Sequence, residues 1–262
     1  MAARQRQLGS LGFMADCIRI YVEEGGLLEP EHWELVRRAA DYICSSWSKP
    51  DNGIWELRRR AHYVSSKVMA WAVLQNALVI TRRCGRGNSD LLENWKRTAD
   101  VIHSEVMRRG WSEQQNSFLE KYGSDSLDAA ALLIPLMDFL PVQHPRVMRT
   151  LAALEKNLLV NGLMHRFDPA ATLGEQKHSI GDFEGAFLPA VFWHAHVLAK
   201  AGMPERADAI LRRCEIISGA PGLFAEEIDS NRNVFLGNTP QLFSHVEYVR
   251  TIMAIEQAQP TH

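Results

Sequence analysis

Apolar residues recur at helical spacing along the whole 262-residue chain, and the segments they mark come in two alternating kinds. Segments 11–22, 68–80, 127–140, 186–197 and 242–255 are apolar almost all the way round, as a helix must be when it lies between other layers of protein. The segments between them are apolar on one side only. Trp33, Val36, Ala40 and Ile43 form one stripe, Leu91, Trp95, Thr98 and Ile102 a second, Val147, Leu151, Leu154 and Leu158 a third, and Ala207, Ile210, Cys214 and Ile217 a fourth. Alternation of a fully buried helix with a one-sided one predicts inner helices wrapped by outer helices, an all-α toroid of about nine helices in a single domain over 1–262. No strand-like alternation of period two persists anywhere.

Helix ends fit this division. Pro204-Glu205 opens an outer helix, Asp90 with Glu93 three residues on forms a capping box, and Gly25-Gly26 closes the first inner helix. Pro135 and Pro189 are expected to kink or bound inner helices. The turns after inner helices are short (25–29, 83–88, 141–144, 202–204) and those after outer helices are long (48–63, 110–125, 161–181, 219–239). Two antiparallel helices separate successive long loops, which places all of them on one expected rim, where function concentrates. On this reading Glu56 and Glu226 meet across one opening although roughly 170 residues separate them in sequence.

The composition, 46% hydrophobic and 23% charged, is that of an ordinary globular domain. A formal charge of −2 supplies no general attraction for nucleic acid or anionic lipid, and the basic run Arg58-Arg59-Arg60 is short, so a small neutral ligand fits better. Cys17, Cys44, Cys84 and Cys214 are widely spaced without a CxxC pair and read as buried, reduced thiols. No apolar leader follows Met1 and no window has the length of uncharged sequence a membrane span requires, so a cytoplasmic location is expected. His194 and His196 are two apart on a helix, unlike an i, i+4 zinc pair, His245 reads as a core or rim residue, and no metal site is expected.

Two acidic loops remain. In Pro50-Asp51-Asn52-Gly53-Ile54-Trp55-Glu56-Leu57-Arg58 a carboxylate stands beside an indole, an arrangement that can hold an acid protonated, while the three arginines would oppose this if they turned inward. Glu56 taken alone reads first as a solvated loop acid or a helix cap. In Ala225-Glu226-Glu227-Ile228-Asp229 the adjacent glutamates point in different directions, and only one can face an opening; Asp229 reads as a turn former. Two facing carboxyl groups are the machinery of glycoside hydrolysis. Trp55, Trp111 and Tyr122 lie in or beside long loops, where their rings either stack on a sugar or plug the top of the core. Gly123-Ser124-Asp125-Ser126 reads first as a capped helix start and second as a hydroxyl-binding segment.

Taken in order, the Pro50 to Arg58 run, Ser66-Lys67-Val68-Met69-Ala70-Trp71, Tyr122-Gly123-Ser124-Asp125, Glu184-Gly185-Ala186-Phe187-Leu188, Leu223-Phe224-Ala225-Glu226-Glu227-Ile228-Asp229 and Gly237-Asn238-Thr239-Pro240-Gln241-Leu242-Phe243-Ser244-His245 resemble glycoside hydrolase family 15, which holds glucoamylases, glucodextranases and trehalases. The resemblance implies an (α/α)6 barrel that releases glucose from α-linked glucosides, maltodextrin-type or trehalose, by an inverting single displacement. It implies Glu56 as general acid and Glu226 as general base, with Trp55 and Arg58 lining the sugar site, and neither metal nor organic cofactor; Trp111, Tyr122 and Glu227 are further candidate sugar contacts on the reading of the loops above. Against that family the chain begins inside the barrel, without the first inner helix or a preceding β-sandwich. It is therefore expected to be weakly active or inactive alone, with an apolar edge that invites self-association or completion by a partner chain. A non-catalytic remnant or subunit is the competing class; a helical-repeat scaffold is a third, disfavoured because the repeats share no consensus.

Overall fold

The computed structural model describes residues 5–175, 177 and 179–258. They form eleven α-helices, one 3-10 segment and a few strands of two or three residues. The chain divides into two compact units, Met1–Trp111 with Leu119–Ser124 and Met137–Phe139, and Ser112–Phe118 with Asp125–Leu136 and Leu140–His262.

The first unit is built on α3 (Val64–Cys84), against which α1 (Gly9–Glu23), α2 (Pro30–Ser46) and α4 (Ser89–Arg109) pack. Fifteen of the 21 residues of α3 are buried, because its apolar residues surround it. Its mean hydropathy of 1.2 would suit a membrane span, yet 83% of that window is buried inside the protein, as in a core helix. The stripes on α2 and α4 turn inward through Val36, Ala40 and Ile43 and through Trp95, Ala99, Ile102 and Val106. Trp95, fully buried, donates its Nε1–H to Asp41 at 3.0 Å and so satisfies its one polar atom against α2. The cap of α4 is Asn88, whose side chain accepts from Leu91 N at 2.9 Å, in place of the expected Asp90. Gly85, at φ 62°, closes α3 in the left-handed conformation that favours glycine.

The chain leaves the first unit at β1 (Trp111–Ser112) and β2 (Ser117–Phe118). The second unit is built on α9 (Leu188–Lys200), with 11 of its 13 residues buried and α10 (Pro204–Ser218) and α11 (Leu242–Ala258) packed against it. Pro189 stands in the first turn of α9, where no amide hydrogen is needed. The inner segment expected over 127–140 is buried as foreseen but is no continuous helix. Asp128 accepts from Ala130 N at 2.7 Å and starts a 3-10 segment, Ala129–Leu132, followed by α5 (Leu133–Leu136), one turn that contains Pro135. Proline removes a helical donor there, and Lys200 Nζ donates to the carbonyl of Pro135 itself at 3.2 Å. The expected cap in Gly123 to Ser126 is therefore placed two residues too early. The rest of the unit comprises α6 (Pro145–Leu158), the hairpin β3 (Leu159–Val160) and β4 (Leu163–Met164), α7 (Pro169–Leu173), α8 (Ile180–Phe183) and a sheet ordered β5 (Ala186–Phe187), β6 (Glu227–Asp229), β7 (Val234–Leu236).

All four cysteines are free thiols, but only Cys214 is buried; Cys17 is exposed and Cys44 and Cys84 are intermediate, which corrects the expectation of four buried thiols. Burial pushes the Cys214 thiol up to about 12. His194 is buried with Nε2 2.8 Å from Glu155, and burial pushes His196 down to about 3. His245 accepts from Phe224 N at 3.1 Å, a satisfied rim histidine.

Candidate functional site

The acid loop lies wholly in the first unit. Asp51 and Ala61 exchange backbone hydrogen bonds of 3.0 and 2.9 Å and close the loop at its base. Inside it Leu57 N donates to Asn52 O at 3.0 Å, and Asn52 Nδ2 donates to Leu57 O at 2.9 Å. Gly53, at φ 68°, sits where a Cβ would come 3.0 Å from the Tyr63 ring, so both conformation and space call for glycine. Segment 5–8 runs along the outside as a strap. Asn52 N donates to Arg6 O at 2.8 Å, Arg6 N to Asn52 Oδ1 at 3.0 Å, Leu8 N to Asp51 Oδ2 at 3.2 Å and Gln5 Nε2 to Glu56 O at 2.9 Å.

From below, Lys67 of α3 reaches the carbonyls of Trp47 and Lys49, the latter at 3.1 Å. Its side chain is fully buried, and burial pushes its pKa down to about 8 although the Asp51 charge opposes this. At the top of this frame Glu56 is exposed and holds φ 57°, a left-handed conformation a glutamate rarely adopts and one that costs energy unless the surroundings impose it. Trp55 beside it is half-buried, and Arg58, Arg59 and Arg60 are exposed.

Trp111 is half-buried. Tyr122 is already engaged: its ring stacks on His62 at 6.0 Å between centroids, and the Arg109 guanidinium lies 4.5 Å from its centroid. Burial and the Glu105 charge raise its phenol above the usual range, which keeps it a neutral donor. Those contacts favour the plug over the sugar platform for this ring.

The base loop lies wholly in the second unit. Glu226 is pinned by its main chain on both sides, its N–H donating to Asn238 O at 2.9 Å and its carbonyl accepting from Leu188 N at 2.9 Å. Its side chain folds onto Gly237, where an added Cβ would come 2.9 Å from the Glu226 Cβ and Oε2. Glu227 pairs with Phe187 and Leu236 in the sheet, and its Oε2 accepts from Gly185 N at 3.0 Å. The two adjacent glutamates are thus seated on different glycines, Glu226 just ahead of β6 and Glu227 its first residue. Glu227 shares a recess with Asp182, Glu184 and Asp229. Burial first, and the Glu184 charge second, raise its pKa. Asp229 accepts from Asn231 N and Arg232 N at 2.9 and 3.0 Å and forms the expected turn.

A further pair went unnoticed in the sequence. Arg166 grips Glu184 with two donors, one at 2.8 Å, while its guanidinium lies 5.3 and 5.6 Å from the Phe167 and Phe187 rings. Burial works against the Arg166 charge, and the Glu184 carboxylate more than offsets it. The one signal available was an arginine in the otherwise apolar run Leu163-Met164-His165-Arg166-Phe167. Among the described residues no group of three His, Cys, Asp or Glu could hold a metal ion.

Each unit thus presents one acidic loop held by a built frame, within a chain that is mostly helical. The fold is shared with a glycosidase solved in complex with glucose, at a TM-score of 0.79 and 21% identity over 98% of this chain and 68% of that one. It is shared equally with the glucoamylase from Saccharomycopsis fibuligera, at a TM-score of 0.79 and 13% identity over 96% of this chain and 70% of that one. The six-hairpin glycosidase class expected from the sequence therefore holds. The model of glycosyl hydrolases family 15 matches residues 2–205, and the chain belongs to that family. A trehalase from Thermoplasma volcanium is 33% identical over 98% of this chain, and one from Mycobacterium tuberculosis 29% identical over 98%. The chain spans 40% and 37% of the length of these two relatives.

Proposed function

We propose that the chain carries the acid and base of an inverting, exo-acting glycosidase that releases glucose from an α-linked glucoside, with trehalose the first substrate to test. The kinship with trehalases supports the substrate, and the observation that carries the chemistry is the forced left-handed backbone at exposed Glu56 within a loop stitched from three directions. Glu56 protonates the glycosidic oxygen as the bond to the anomeric carbon breaks, and Glu226 takes a proton from the water that attacks the opposite face. Inversion then requires the two carboxyl groups about 6.5–9.5 Å apart, to leave room for that water.

The chemistry fixes the products. Inversion of α,α-trehalose releases one β-glucose from the attacked ring and one α-glucose from the leaving ring, whereas retention releases two α-anomers. Proton NMR of the first-formed sugars distinguishes them. Glu56→Gln is expected to lower turnover by about 100- to 10,000-fold with an unchanged melting temperature, because the side chain is exposed. Comparable turnover by the variant sinks the assignment.

A second reading, a subunit completed by another chain, draws on one observation. Leu242, Val246, Val249 and Met253 of α11, at 75%, 45%, 52% and 53% exposure, form an apolar stripe at helical spacing. Such a chain gains hydrolysis only on mixing with a polypeptide that supplies the remaining length of a family relative.

A further inference from the structure

Glu226 and Asn238 are joined by three hydrogen bonds that form a closed loop across twelve residues. The main chain of Glu226 donates to the Asn238 carbonyl at 2.9 Å, and Asn238 returns two donors, its N–H at 3.3 Å and its Nδ2 at 3.1 Å, to one oxygen of the Glu226 carboxylate, Oε2. Gly237, at φ 74°, lies directly under the same side chain and leaves it room that any Cβ would fill. Among the described residues Oε1 takes no hydrogen bond.

We infer that Asn238 is a positioning residue, which fixes Oε2 of Glu226 so that Oε1 is the oxygen presented to the attacking water. The inference rests on the reading of Glu226 as general base and adds how that base is aimed. A glutamate has three side-chain torsions, and a freely rotating carboxylate spends little time with a lone pair on the line of attack. Two donors on one oxygen remove that freedom, and hydrogen bonds to the ionised form favour the state a base requires. Asn238 is exposed, so water could have satisfied its amide; its engagement with Glu226 is not forced by burial.

The competing role for Asn238 is to shape the turn before Thr239 and Pro240. Aspartate serves a turn as well as asparagine does, but it replaces the Nδ2 donor by a second negative charge beside Glu226. In the full chain Asn238→Ala is expected to lower kcat about 10-fold and Asn238→Asp about 100-fold, the range spanned by losing a hydrogen bond to a charged group. KM should stay within about twofold, since only alignment in the transition state is lost.

Glutamate 13C NMR, with the Glu226 carboxyl assigned through Glu226→Gln, reads the same contact without turnover: its resonance should move in both Asn238→Ala and Asn238→Asp, which remove the Nδ2 donor. Asn238→Asp at wild-type kcat, or an unmoved Glu226 resonance, overturns the positioning role. Turnover that survives Glu226→Gln overturns the base assignment instead, and the NMR arm then decides the contact by itself.

Discussion

The two acidic loops differ in how their glutamate carboxylates are treated. In the first unit the frame grips main chain: the strap 5–8, Asn52 and Lys67 hold carbonyls and amides, and Gln5 takes the backbone oxygen of Glu56. In the second unit the main chain of Glu226 is held as well. The glutamate carboxylates there are gripped in addition, Glu226 by Asn238 and Glu227 by Gly185, whereas the Glu56 carboxylate takes no hydrogen bond among the described residues. The contrast suits the proposed chemistry. A general acid must carry and surrender a proton, and donors fixed on its carboxylate would disfavour the protonated form; a general base benefits from the same donors. Placement can thus be supplied through the backbone alone for one group and through the side chain as well for the other.

Three changes sharpen or break that contrast. The largest effect is expected from Lys67→Ala, which leaves the carbonyls of Trp47 and Lys49 without their buried donor. Each orphaned group costs about 1–3 kcal/mol, so denaturant unfolding should show a loss of roughly 2–5 kcal/mol. The pH dependence identifies the cause. Below about 8 Lys67 is protonated in folded and unfolded chains alike. Between about 8 and the unfolded value of 10.5 the unfolded chain binds more protons, so wild-type stability should rise with pH through that window. Lys67→Ala should lack this rise.

Asn52→Ala comes next. It removes the bonds to Arg6 N and Leu57 O while leaving Asn52's own amide on the strap. A cost of about 1–2 kcal/mol is expected, with kcat lowered and hydrogen exchange of the Arg6 and Leu57 amides accelerated. Unchanged exchange would show that the acid loop stands without its strap.

Glu227→Gln should matter least. Burial and Glu184 already favour the neutral form of this carboxyl, and glutamine keeps an acceptor for Gly185 N. A raised folded value means that ionisation opposes folding, so wild-type stability should fall as pH rises past 4.5 toward that value. The variant should lose that decline and keep turnover within about threefold; a larger loss would give Glu227 a place at the sugar.

Most helices were legible in the sequence because period and burial coincide over ten residues or more. The stripe ending at Ile43 is α2, that ending at Ile102 lies in α4, and those of 147–158 and 207–217 lie in α6 and α10. Segment 127–140 misled because apolarity reports burial, and Pro135 decided the conformation. The sheet of β5, β6 and β7 was invisible, since strands of two or three residues are too short to show alternation. Glu56 and Glu226 stood out only through their motifs. Their supports did not, because Arg6 and Asn52 are 46 residues apart and Glu226 and Asn238 are 12, and no local pattern announces such partners.

The strap along the acid loop sets a limit on engineering. Residues 5–8 precede the first helix and resemble a dispensable tail, yet they supply or accept four of the bonds around Asp51, Asn52 and Glu56. A version that starts at α1 would keep every helix and still loosen the backbone under Glu56. For fusion or fragment design, the boundary of the Pro50 to Arg58 loop therefore lies some 45 residues ahead of the loop itself.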